Sequence, residues 1–222
     1  MRVDHNNSAN IRRVSEPQPG DVTVASSALT SLSAVSDADP RWSQRAAPTT
    51  WTAVQAIAHI ADALLFYAGQ VASRADHPLP VLRDGRAAPP SEQLDNAVTA
   101  AHVLAGLLRD LGPERAWHPS GLADASGWAG MAVTELLVHG HDVARALNVD
   151  LPLPEQVCRR ALARVFPWVS LNLGTPDALL LAVTGRATVH GIPSDADWWW
   201  QSAPLAEWDG KPRRRTTPPR WR

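Results

Sequence analysis

Between Thr134 and Val143 an apolar run carries a carboxylate and an imidazole four residues apart, Glu135 and His139, with Asp142 three residues further on. On a helix, positions i and i+4 stand one above the other and i+7 continues the stripe. Glu135, His139 and Asp142 therefore share a face, while Leu136, Leu137, Val138 and Val143 are core-forming residues. Charge removed from water is costly unless it is paired or holds a metal. Such a segment belongs inside a helical assembly, where an inward Glu and His make half of a metal site. The plainer alternative is a helix ion pair, which is common at this spacing.

A further donor stands on another predicted helix. Thr52 and Gln55 read as a capping box, each side chain meeting a free amide at the helix start. Val54, Ile57, Ala58, Ala61, Leu64, Leu65, Ala68 and Val71 follow at helical spacing, and His59 lies within or beside that face. On its own, His59 reads equally as a hydrogen-bonded core histidine. His141, two residues from His139, points about 200° away and cannot easily share its ion. It suits a packing contact or an exposed position. Asp142 could orient a ligand imidazole or pair with Arg145.

The rest of the chain reads as more helix. A first helix is expected over 21–35, with Val22, Ala25, Leu29, Leu32 and Val35 on one side. After a loop over 37–50 comes the His59 helix, ending near 75, and then a connection over 76–90 long enough to cover a site. A third helix starts at Pro90-Ser91, carries Leu94, Val98, Ala101, Leu104, Leu108 and Leu111, and stops at Gly112-Pro113. Residues 117–125 read as a loop and 126–147 as the fourth helix. Four amphipathic helices in ~130 residues bury their faces most simply as a bundle. Beyond 150, Pro154 opens another helix, Thr175-Pro176-Asp177 starts one more, and 187–190 reads as a short strand. Trp198, Trp199, Trp200 and Trp208 would fold back over the bundle or form an oligomer contact, in preference to a cofactor platform.

The expected division is therefore a disordered extension (1–20), a helical bundle (21–150), an abbreviated C-terminal region (151–210) and a basic tail (211–222). The tail holds six basic residues and no acid. It is expected to be solvated and disordered, the alternative being docking on the acidic body or on an anionic partner. With 21 basic and 22 acidic residues the chain is not a general nucleic-acid binder. Its one cysteine, Cys158, excludes an internal disulfide and a Cys-rich zinc motif, and its helical setting suggests packing. No signal-peptide core and no run of ~20 apolar residues is visible, so the expectation is a cytoplasmic protein without a membrane span.

Trp51-Thr52 leading into Ala58-His59-Ile60-Ala61-Asp62, then His118-Pro119-Ser120-Gly121-Leu122-Ala123-Asp124, Met131 and Glu135 through Ala144, resemble the signatures of the mycothiol-dependent maleylpyruvate isomerase family. The resemblance covers roughly 21–150, with a fainter continuation to a Thr184-Gly185-Arg186 element. It implies a mainly α chain whose 21–150 region is a DinB-like four-helix bundle. It also implies a zinc or similar divalent ion on His59, Glu135 and His139, and mycothiol as co-substrate. Full-length members carry an α/β domain at the C-terminus, for which this chain has too few residues. The expectation is thus a zinc-dependent, thiol-using isomerase or S-transferase acting on a small electrophile. The alternatives are a non-catalytic bundle binding metal or a thiol conjugate, and a zinc-dependent hydrolase. Arg186 would meet an anionic substrate or cap the preceding helix.

Overall fold

A computed structural model describes residues 14–80, 88–193 and 197–215 of the chain. Residues 1–13 of the expected extension, 81–87 of the connection and 216–222 of the tail lie outside the described residues. The described residues are mainly helical, and their one sheet is a two-stranded hairpin.

The first apolar stripe is buried as its spacing requires, but the element splits. Helix α1 (Pro19–Ser27) gives way to a 3-10 helix over Ala28–Ala34. Hydroxyl groups account for the tightening. Thr30, Ser31 and Ser33 donate back to the carbonyls of Ser27, Ala28 and Thr30, and such local bonds compete with the α-helical pattern. Helix α2 (Ala53–Ser73) starts on the expected box: Thr52 Oγ1 accepts from the Gln55 amide at 3.3 Å, and Gln55 Oε1 accepts from the Thr52 amide at 2.9 Å. Leu65, expected on its apolar face, is 47% exposed. By length and composition α2 could cross a membrane, yet more than half of its most apolar stretch is buried in this fold.

Helix α3 (Pro90–Asp110) packs on both α1 and α2. The next rod is one continuous run: α4 (Ala125–Thr134), a π turn (Glu135–His139) and α5 (Gly140–Leu147). Its α4 part meets α1 and its α5 part meets α2, so the rods surround a single core containing Leu29, Ile57, Leu64, Leu104, Met131 and Leu136. Full burial of each such side chain contributes about 1.5–3 kcal/mol. Outside the ring, α6 (Glu155–Val165) packs on α4, and α7 (Pro176–Val183) packs on α6.

The stretch expected as a loop over 117–125 is a hairpin, β1 (Ala116–His118) with β2 (Gly121–Ala123), paired antiparallel. Gly121 closes it at φ +131°, a conformation that only glycine adopts readily. The hairpin buries His118 among Tyr67, Trp128, Trp199 and Trp200. Its Nδ1 accepts from the Ser120 amide at 3.1 Å. Burial pushes the imidazole down to about 3, so it is neutral near pH 7.

The C-terminal segment folds back. The Arg164 guanidinium is buried and donates to Ser126 Oγ, Asp124 Oδ1 and the carbonyls of Gln201 and Ser202 at 2.7–3.0 Å. Trp199 and Trp200 are buried against the core. The expected strand at 187–190 does not form. The beginning of the basic tail is also engaged. Arg214 bridges Trp198, the Arg213 carbonyl accepts from the Trp199 amide at 3.0 Å, and the Arg215 guanidinium lies 4.6 Å over the Trp199 ring.

A Cβ at Gly127 would overlap the backbone carbonyl of Ser202 and crowd Arg164. Gly127→Ala is therefore expected to destabilise the fold by about 1–3 kcal/mol in denaturant unfolding; an unchanged midpoint would refute this docking. Because folding depresses His118, the unfolded chain takes up its proton first. Its contribution is complete above about pH 6.5 and is lost as pH falls toward 3, by up to about 1.4 kcal/mol per pH unit. His118→Phe should flatten the stability-versus-pH slope across that window, and equal slopes in both proteins would contradict the assignment.

Candidate metal centre

Two rods supply the three expected donors. His59 sits on α2, one and a half turns past the helix start, while Glu135 and His139 open and close the π turn. Turns of this kind are rare and recur at functional sites. Gly140 follows directly, where a Cβ would stand 2.8 Å from a methyl of Leu29. The missing side chain lets the 3-10 segment press against the rod beside the site.

The fold brings the donors together: one ligand atom from each of His59, Glu135 and His139 lies within 4.8 Å of the others. Glu135 Oε2 is 3.2 Å from His139 Nε2 and 3.5 Å from His59 Nε2. Its side chain is only 7% exposed. The other oxygen, Oε1, accepts a hydrogen bond from the Tyr67 hydroxyl at 3.2 Å. Oε2 is buried and makes no well-formed hydrogen bond. Ligands 2.0–2.1 Å from a tetrahedral ion stand about 3.3 Å apart, close to the two spacings from Glu135 Oε2 to the imidazoles.

The electrostatics follow from burial and proximity. Burial works to raise the Glu135 carboxyl, but contact with His139 and then His59 outweighs it and holds the group well below the usual carboxylate range. Burial works to lower His139, while Asp142 and Glu135 raise it past its ordinary value. Tyr67 is driven well above the usual phenol range by burial and by the Glu135 charge, so it remains a donor. Trp51 packs beside both imidazoles. Its ring lies 4.3 Å from His59 and 5.6 Å from His139, centroid to centroid, and the two imidazoles meet edge to face at 5.0 Å.

Asp142 takes the orienting position: His139 Nδ1 is 3.3 Å from its Oδ2. Its cationic partner is Arg186, which donates to both carboxylate oxygens at 3.1 and 2.7 Å; the expected alternative was Arg145. Arg186 is thus engaged within the protein, neither aimed at a substrate nor limited to capping α7. His141 stays outside the donor group and is half-buried. Burial pushes the Cys158 thiol up to about 12, which leaves no thiolate near neutral pH and agrees with a packing role. Tyr67 carried no sequence signal except its position two turns past His59 on the same helix. Trp51 was visible only as part of a motif.

Two clefts of about 610 and 560 Å³ lie elsewhere, beside Arg109 and Asp124 and beside Arg145 and Asn148. Neither is lined by the three donors, so the chemistry of the donor set locates the site, and cavity size does not. Comparison with known proteins adds no relative: no family model matches the chain, no curated protein matches it, and no solved structure matches it.

Proposed function

We propose that this chain is a zinc-dependent enzyme that uses a small thiol against an electrophilic substrate, on a DinB-like bundle of the mycothiol-dependent maleylpyruvate isomerase type. The observation that carries the reading is Glu135 Oε2, buried between the Nε2 atoms of His139 and His59 at 3.2 and 3.5 Å. Among the described residues the group has three protein donors, the donor set of a catalytic zinc site, whereas structural sites use four. The order of the Trp51–Asp62 and His118–Ala144 signatures supports the family, and mycothiol as co-substrate rests on that resemblance.

When bound, a divalent ion supplies the positive charge that lets a thiol lose its proton near neutral pH. The chain's own residues prepare that position. Tyr67 holds Glu135 by Oε1 and leaves Oε2 directed at the imidazoles. Asp142 keeps a carboxylate against His139 Nδ1, which leaves Nε2 as the donor. Trp51 gives the opening an aromatic wall against which the apolar part of an electrophile can rest. Glu135 and Asp142 are both engaged, so neither is free to serve as the general base that a hydrolase would need. A hydrolase would need another group for that role.

Purified protein should carry about one divalent ion per chain by elemental mass spectrometry, and His59→Ala and His139→Ala should each lose it. Tyr67→Phe should weaken binding by roughly 10-fold. The metal-loaded protein should consume mycothiol with a small electrophile at a saturable rate. Metal binding without turnover against a broad electrophile panel would move the assignment to a non-catalytic binding module. A protein that takes up no zinc on addition would sink both.

A further inference from the structure

Arg186 stands 44 residues from Asp142 in sequence, beyond α6 and α7, yet its guanidinium grips that carboxylate as a two-bond fork. Asp142 is fully buried and Arg186 is 6% exposed on its side chain. The carboxylate faces two ways. Its Oδ2 meets Arg186 Nη2 at 2.7 Å and His139 Nδ1 at 3.3 Å, while Oδ1 meets Arg186 Nε at 3.1 Å. We infer that Arg186 is a positioning residue of the metal centre, holding Asp142 on His139 Nδ1 so that Nε2 of that ring is presented to the ion. The inference rests on the metal reading above and assigns the C-terminal region a part in the site.

The local backbone is built for this reach. Gly185 has φ +78°, which turns the chain back at the end of α7. The Arg186 amide donates to the Leu181 carbonyl at 2.6 Å and Thr184 Oγ1 to the Leu180 carbonyl at 2.7 Å, fixing the turn. Arg186 Nη1 donates to the Thr184 carbonyl, so the guanidinium is held from behind as well.

A planar fork restrains a carboxylate in both distance and rotation, whereas an ammonium restrains only distance. Without the fork, the longer contact to His139 would be left to orient Asp142 alone. The ring nitrogen that binds metal is chosen by the hydrogen bond made at the other one. A freed Asp142 would let His139 exchange its tautomers and rotate out of line. Arg186 also places a positive charge near the ion, an effect of opposite sign, so the direction of the affinity change separates positioning from plain repulsion.

The test combines two readouts on wild type, Arg186→Lys, Arg186→Gln, Asp142→Asn and the Arg186→Gln/Asp142→Asn double variant. Zinc affinity is measured by competition with a chromophoric chelator. Imidazole 15N NMR of His139 is recorded on metal-free protein at alkaline pH, where the ring is neutral, and the same spectra report whether each variant is folded. Arg186→Gln should weaken zinc binding by about 10-fold and replace a single Nδ1–H form with a mixture. Arg186→Lys, the variant to rely on if the Gln protein is unfolded, should fall between the two. The double variant should bind as Asp142→Asn does, because Arg186 acts through Asp142. Unchanged tautomers in folded Arg186→Gln or Arg186→Lys, or tighter zinc binding in either, would overturn the inference. A wild type that binds no zinc refutes the metal reading, and the NMR comparison then decides the Arg186 inference by itself.

Discussion

Glu135 places a carboxylate inside an apolar rod, where an uncompensated charge costs several kcal/mol, and the surrounding structure is arranged to compensate it. One oxygen receives the Tyr67 hydroxyl, and the other lies between two imidazoles contributed by different rods. Remove either histidine and Oε2 loses one of its two imidazole neighbours. The same arrangement gathers one possible ligand atom from each of the three residues within 4.8 Å of the others.

Compensation extends outward in layers that tie distant parts of the chain together. His139 rests on Asp142, Asp142 is gripped by Arg186, and Arg186 is fixed by the turn that ends α7. On the opposite side Tyr67 contacts His118, which the hairpin and the tryptophans of the returning segment enclose. Arg164 anchors that segment to the start of α4 through four hydrogen bonds. Residues beyond α5 in this way reach both flanks of the donor group, through Asp142 on one side and the aromatic cluster around His118 on the other.

Much of this was legible in the sequence because helical period is a strong signal. The spacing of Glu135 and His139, the capping box before α2 and the stripes of the three N-terminal helices all follow from local pattern. The three donors were identified, and the fold brings them within reach of one ion. What was hidden depends on contacts between distant residues. Arg186 could not be matched to Asp142, since the 44 intervening residues include two helices and a reversal at Gly185. The hairpin at 116–123 escaped notice because three-residue strands show no period, and its turn depends on one glycine. The 3-10 segment was read as α-helix because its apolar spacing is nearly the same, while its serine and threonine hydroxyls decide the tighter form. Leu65 fits a helical stripe by sequence, but among the described residues it stays exposed.

Anomalous diffraction at the zinc edge, on crystals of the metal-loaded protein, tests the central claim most directly. The account predicts a single strong peak within about 2.0–2.2 Å of His59 Nε2, Glu135 Oε2 and His139 Nε2, with a fourth position left to solvent or thiol. A protein with no peak there, and with Glu135 bonded directly to the two imidazoles, would show the three residues to be a buried ion-pair network and would contradict it.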